Sequence, residues 1–182
     1  MRFFKTNRKV GLGILTATVL ALLPATAEAG SGGMGPGSAS PTPTVPGSKA
    51  KLVKGTAYAP ANAPQEVKDI IAAANKIDDK PYLYGGGHAS FNSKGYDCSG
   101  AVSYALHGAD LLNAPLDSTS LGKWGEAGEG QWVSVYGAPS HAYMVVAGLR
   151  FDTSMTPGNG PGWSKSLTST PEKYKARHPL GL

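Results

Sequence analysis

Residues 81–106 read PYLYGGGHASFNSKGYDCSGAVSYAL, and the reading of this stretch governs the rest of the chain. Three successive glycines, Gly85 to Gly87, forbid regular structure and permit tight backbone turns. From Cys98 onward the pattern changes. Ala101, Val102, Ala105 and Leu106 recur at helical spacing, with Asp97 placed to cap the helix and Gly108 to end it. The spacing puts Cys98 in the first helical turn. Unpaired backbone N–H groups and the helix dipole favour negative charge there, and so favour the nucleophilic thiolate. Cys98 is the only cysteine in 182 residues, so it has no partner for an internal disulfide. Taken by itself it reads equally as a small buried apolar residue.

A thiolate nucleophile needs an imidazole to hold its proton and later pass it to the leaving group. The chain has four histidines. His107 lies nine residues along the same helix, out of reach, and His178 sits in a polar tail with no evident rigid support. His88, in the glycine-rich loop, is placed to border a pocket. His141 opens the segment HAYMVVAGL, a strand able to hold an imidazole against a helix end. Asp152 follows eleven residues later and comes alongside His141 if the chain makes a hairpin at Gly148, which would fix the imidazole tautomer. The alternative for Asp152 is a solvated carboxylate at a strand end.

Outward from this region, residues 1–29 have the order of a secretory signal. Arg2, Lys5, Arg8 and Lys9 precede a mostly apolar run, Val10 to Leu23, and small residues at Ala25, Ala27 and Ala29 offer cleavage sites. The apolar run is short for a membrane span. Cleavage after Ala29 removes four basic residues and one acidic residue, taking the formal charge from +5 to +2. So mild a charge speaks against a nucleic-acid partner. Residues 30–59, rich in Gly, Ser, Pro and Thr, read as a flexible linker, and 60–182 as the folded domain. That domain begins with a helix carrying an apolar stripe of Val67, Ile70, Ile71, Ala74 and Ile77, with Asn62 as its cap and Pro64 in its first turn. A short helical turn is expected within 118–125. QWVSVY (131–136), HAYMVVAGL (141–149) and RFDTS (150–154) read as strands, residues 155–164 as a loop, and the tail from Pro171 as a surface helix or extended closure. Helices followed by an antiparallel meander give an α+β class.

The segments PYLYGG, GYDCSGAVSYAL and SHAYMVVAG with RFDTS resemble the NlpC/P60 family of papain-like cysteine peptidases. The resemblance spans roughly residues 65–155. It implies a papain-like fold with Cys98 as nucleophile at a helix N-terminus, His141 as base and Asp152 at the third polar position, which is more often histidine in the family. It also implies substrate contacts at Tyr82, Asp97 and Ser99, the latter two where the family meets a free amino end of a peptidoglycan stem peptide. Tyr84 stands where the family usually has tryptophan, and Ser140 where it usually has glycine. The function implied is a secreted endopeptidase, extracellular or wall-associated, cutting γ-D-glutamyl bonds to a diamino acid. The alternatives are an amidase or acyltransferase using the same residues, or a catalytically silent wall-binding protein. A monomer without cofactor, metal or integral membrane segment is expected. The scattered histidines show no ligand spacing, and GKWGEAGEG lacks the ending of a phosphate loop. Trp124, Trp132 and Trp163 are candidates for a substrate groove or for packing, with packing the stronger reading for Trp132.

Overall fold

The computed structural model describes residues 43–155, 160–167 and 173–182. The expected signal segment, 1–29, lies outside the described residues. Three short strands come first: β1 (Thr44–Val45), β2 (Lys51–Val53) and β3 (Thr56–Pro60). β3 pairs antiparallel with β2 and parallel with β1. This corrects the expected linker over 30–59, whose described part is not flexible tether. In TAYAP the alternate residues Ala57 and Ala59 are fully buried, and two small apolar side chains suffice to dock a strand where the composition is otherwise polar.

Helix α1 (Gln65–Asn75) follows. Its buried face, Val67, Ile70, Ile71, Ala73 and Ala74, matches the expected stripe. Its start does not: Pro64 occupies the cap position with no side-chain cap, and Asn62 lies outside the helix. Proline tolerates this place because its missing N–H would lack a helical partner anyway. Ile77 is buried just beyond the helix.

Helix α2 (Cys98–His107) is capped by Asp97 and stops at Gly108. Its start is packed against the glycine run. A Cβ on Gly100 would run into the Gly86 carbonyl, and one on Gly86 into the Gly95 carbonyl. Glycine is required at both places for this close approach.

Beyond the short α3 (Ser118–Leu121) come β4 (Glu126–Ala127), β5 (Val133–Gly137), β6 (Ala142–Val146), β7 (Leu149–Asp152), β8 (Gly162–Ser164) and β9 (Lys175–His178). They form a six-stranded sheet in the order β4-β9-β5-β6-β7-β8, and every pairing is antiparallel. The class is α+β, as the sequence implied. One segment differs from expectation: Trp163 lies in strand β8 rather than in a loop. The tail takes the extended one of its two expected forms, as strand β9 between β4 and β5. This corrects the reading of His178 as unsupported, since it bonds the Gly128 carbonyl through Nδ1 at 3.1 Å.

The core lies between the helices and the sheet: Val102, Ala105 and Leu106 from α2 join Ile70 and Ile71 from α1 and Val135, Met144 and Phe151 from the strands. Trp163 is buried in this core, while Trp124 and Trp132 pack against it half-exposed. Among the described residues, no helix is long and apolar enough to cross a membrane.

Candidate active site

The β6–β7 hairpin turns on Ala147 and Gly148, both at positive φ (47° and 86°), and pairs Val146 with Leu149. Positive φ at both central residues is the turn geometry that suits the twist of two antiparallel strands. The register brings His141, just before β6, diagonally near Asp152 at the end of β7. His141 Nε2 lies 2.8 Å from Asp152 Oδ1, and His141 also hydrogen-bonds Cys98 at the head of α2. Cys98, His141 and Asp152 thus meet where three elements end.

Burial opposes charge on His141, but hydrogen bonds to Asp152 and Cys98, together with their negative charges, outweigh it and raise its pKa from 6.5 to about 9. The Asp152 side chain is wholly buried. Burial alone would raise its pKa, but the hydrogen bonds and positive charges of His141 and Arg150 hold it below its ordinary value. Its two oxygens divide their work. Oδ1 accepts from His141 and from the Ser154 N–H at 3.1 Å. Oδ2 accepts from Arg150 Nε at 2.8 Å, from Arg150 Nη2, and from Ser154 Oγ at 2.9 Å. Arg150 was not among the expected site residues. Its signal was present in RFD: opposite charges two apart in a strand share one face.

Tyr82 forms an isolated bridge with Tyr96 and stands near Cys98. Burial, then the negative charges of Cys98 and Asp97, push its phenol pKa up. Asp97 and Ser99 are both buried. Asp97 Oδ1 accepts from the Gly100 N–H at 2.8 Å and from Ser99 Oγ at 3.2 Å, and it pairs with His88 Nε2 at 3.0 Å; Oδ2 accepts from the Gly85 N–H at 3.1 Å. Three of these contacts fall on Oδ1 and one on Oδ2, so Oδ2 keeps room for a further donor. His88, 30% exposed in its side chain, is the more accessible member of this cluster.

Two hollows adjoin the pair. One of about 580 Å³ is lined by Tyr82, Tyr84, His88, Cys98, Asp117 and Ser140 among others. The other, about 280 Å³, is lined by Tyr82, His141, Thr153 and Ser154. Tyr82 borders both. Asp117, which caps α3 through the Thr119 and Ser120 N–H groups, was not foreseen in this wall. Among the described residues, no three His, Cys, Asp or Glu side chains converge as metal ligands.

Comparison of the whole fold with solved structures places these elements. The peptidoglycan hydrolase RipB of Mycobacterium tuberculosis superposes with a TM-score of 0.50 at 23% identity, over 65% of this chain and 66% of RipB. RipD of the same organism, a non-catalytic NlpC/P60 domain protein adapted to peptidoglycan binding, gives 0.50 at 20% identity over 65% of this chain and all of RipD. The chain has the NlpC/P60 fold. The P60 domain of an antigen from M. avium paratuberculosis matches equally, with a TM-score of 0.50 at 20% identity over 64% of this chain and 94% of the domain. This chain spans just under two thirds of RipB's length. No family model and no curated protein matches the sequence. Since the NlpC/P60 fold is shared by a hydrolase and by a non-catalytic binder, chemistry must be argued from the site.

Proposed function

We propose that this protein is a secreted cysteine endopeptidase that hydrolyses amide bonds in peptidoglycan stem peptides, of the γ-D-glutamyl-diamino acid type. The observation that carries this reading is the Cys98–His141–Asp152 chain of contacts beside an open hollow. The buried Asp152 carboxylate holds the His141 imidazole beside the Cys98 thiol, the arrangement that nucleophilic catalysis needs. Cys98 Sγ attacks the amide carbonyl, forming a carbon–sulfur bond, while the Cys98 N–H at the helix start helps hold the oxyanion. His141 gives its proton to the leaving nitrogen as the carbon–nitrogen bond breaks. It then takes a proton from water, which attacks the thioester and releases the acid. Asp152 holds the ring through Nε2, leaving Nδ1 for Cys98. The hollow lined by Cys98 receives the acyl side, and the one lined by His141 receives the leaving amine.

RipD favours a second reading, a wall-binding protein without turnover, since it shares the fold. Incubating residues 30–182 with purified muropeptides, followed by mass spectrometry, separates the two. The proposal expects pairs of new fragments whose masses sum to that of the intact muropeptide plus one water, absent with Cys98→Ala. Retention of intact muropeptides without cleavage would replace the proposal with the binding reading.

A further inference from the structure

Behind Asp152 stands a group that the three-residue account does not use. Arg150 is 1% exposed, among the most deeply buried large side chains of the protein. An arginine so placed must be paired, since an isolated buried cation is very costly. Its Nε and Nη2 both donate to Asp152 Oδ2, and its Cζ lies 3.7 Å from the centroid of the Tyr143 ring. Tyr143 is itself stacked on Tyr136 at 4.7 Å and met edge-on by Tyr174 at 4.9 Å. The guanidinium is therefore held between the Tyr143 ring and the Asp152 carboxylate, and its two donors converge on one oxygen, Oδ2, leaving Oδ1 to His141.

We propose that Arg150 is a positioning residue of the site: by clamping Asp152 Oδ2 it aims Oδ1 at His141 and offsets part of the negative charge that the imidazole meets. This inference rests on the endopeptidase reading for its kinetic consequences but not for its electrostatic ones. A lone buried carboxylate against an imidazolium would hold the ring's proton tightly. That is unhelpful in a group that must surrender the proton to a leaving amine. With Arg150 on the far oxygen, the ring faces a carboxylate that is ionised, anchored through Oδ2 and partly neutralised. The charged and titratable groups around His141 are Cys98 from α2, Asp152 and, behind it, Arg150 from β7, Tyr143 on its own strand, Tyr174 beside β9, and Tyr82 across the small hollow.

Two variants separate position from charge. Arg150→Gln keeps a donor but removes the charge, so the alkaline limb of kcat/KM on muropeptides should move up by about half a pH unit or more. Arg150→Lys keeps the charge but loses the fork, so the limb should stay while kcat falls ~10-fold from misaligned Asp152. Titrating the His141 ring by ¹⁵N NMR reads the same charge effect without turnover, so it stands even if the wild type cleaves nothing. An unmoved His141 titration in Arg150→Gln overturns the charge role. Wild-type kcat in Arg150→Lys overturns the positioning role, and that variant serves even if Arg150→Gln does not fold.

Discussion

Three residues far apart in sequence meet because each lies at one end of an element: Cys98 begins α2, His141 precedes β6 and Asp152 ends β7. If they form one unit, Cys98→Ala and His141→Ala should each abolish hydrolysis, and the double variant should lose little more. The pH profile follows from His141. Its imidazolium form persists up to about pH 9 and supplies the proton for the leaving amine. The rate should therefore fall as pH rises through about 9. An alkaline limb near the ordinary histidine value of 6.5 would mean that Asp152 and Cys98 do not hold that proton. Asp152→Asn should cut kcat by ~10²–10⁴-fold, because the amide favours the wrong tautomer. Arg150 also decides which third residue this site tolerates. Histidine there is usual for the family the sequence resembles, but here it would leave a buried guanidinium without its anion. Asp152→His should thus be both inactive and destabilised by about 3–5 kcal/mol, as when one partner of a buried pair is removed. A stable and active Asp152→His protein would show that the Arg150 contact is dispensable.

At the scale of elements, the hairpin that carries His141 and Asp152 depends on two residues at positive φ. Gly148 has open space where a Cβ would go, with only Lys49 Cδ at 4.0 Å, so substitution there meets backbone strain and not a clash. Gly148→Ala should cost about 1 kcal/mol in urea unfolding while leaving kcat of the folded protein intact. A larger activity loss than stability loss would tie the turn to the site geometry. Much of this level was legible. The Asp97 cap, the Gly108 stop and the hairpin at Gly148 follow from residue types with one dominant structural use. Asn62 misled because capping chemistry was read without the backbone: Pro64 occupies the cap position itself. β8 and β9 were hidden for a different reason. GWS and KARH are short, and they become strands by pairing with β7 and with β4 and β5, partners that no local pattern reveals. RFD shows that Arg150 and Asp152 share a strand face, but that this face is buried follows only from the place of β7 between β6 and β8.

At the scale of the whole fold, the part least visible in the sequence is the attachment of residues 44–60. Composition made tether of all but Pro60, yet Asn75 at the end of α1 binds them to the rest. Its Nδ2 donates to the Ala57 carbonyl at 2.8 Å, and its Oδ1 accepts from the Ala57 N–H at 3.1 Å and from Trp163 Nε1 at 2.8 Å. One amide thus joins β3, α1 and β8, three segments that meet nowhere else through a single side chain among the described hydrogen bonds. An amide suits this place because it can donate and accept at once, pairing with both groups of one residue. Asn75→Ala removes all three contacts and strands the buried indole N–H, and should cost about 2–4 kcal/mol in urea unfolding. Asn75→Asp should not rescue it, because the carboxylate keeps the two acceptor contacts but sets a negative charge against the Ala57 carbonyl. The strand itself should matter as much. A chain beginning at Ala61 exposes the surface that Ala57 and Ala59 cover, so it should melt well below a chain beginning at residue 43. It should also show whether Asn75 acts through β3: in the shorter chain, Asn75→Ala should cost clearly less, since only the Trp163 contact is left to lose. Equal costs in the two chains would mean that Asn75 serves Trp163 alone and that residues 44–60 contribute nothing through it.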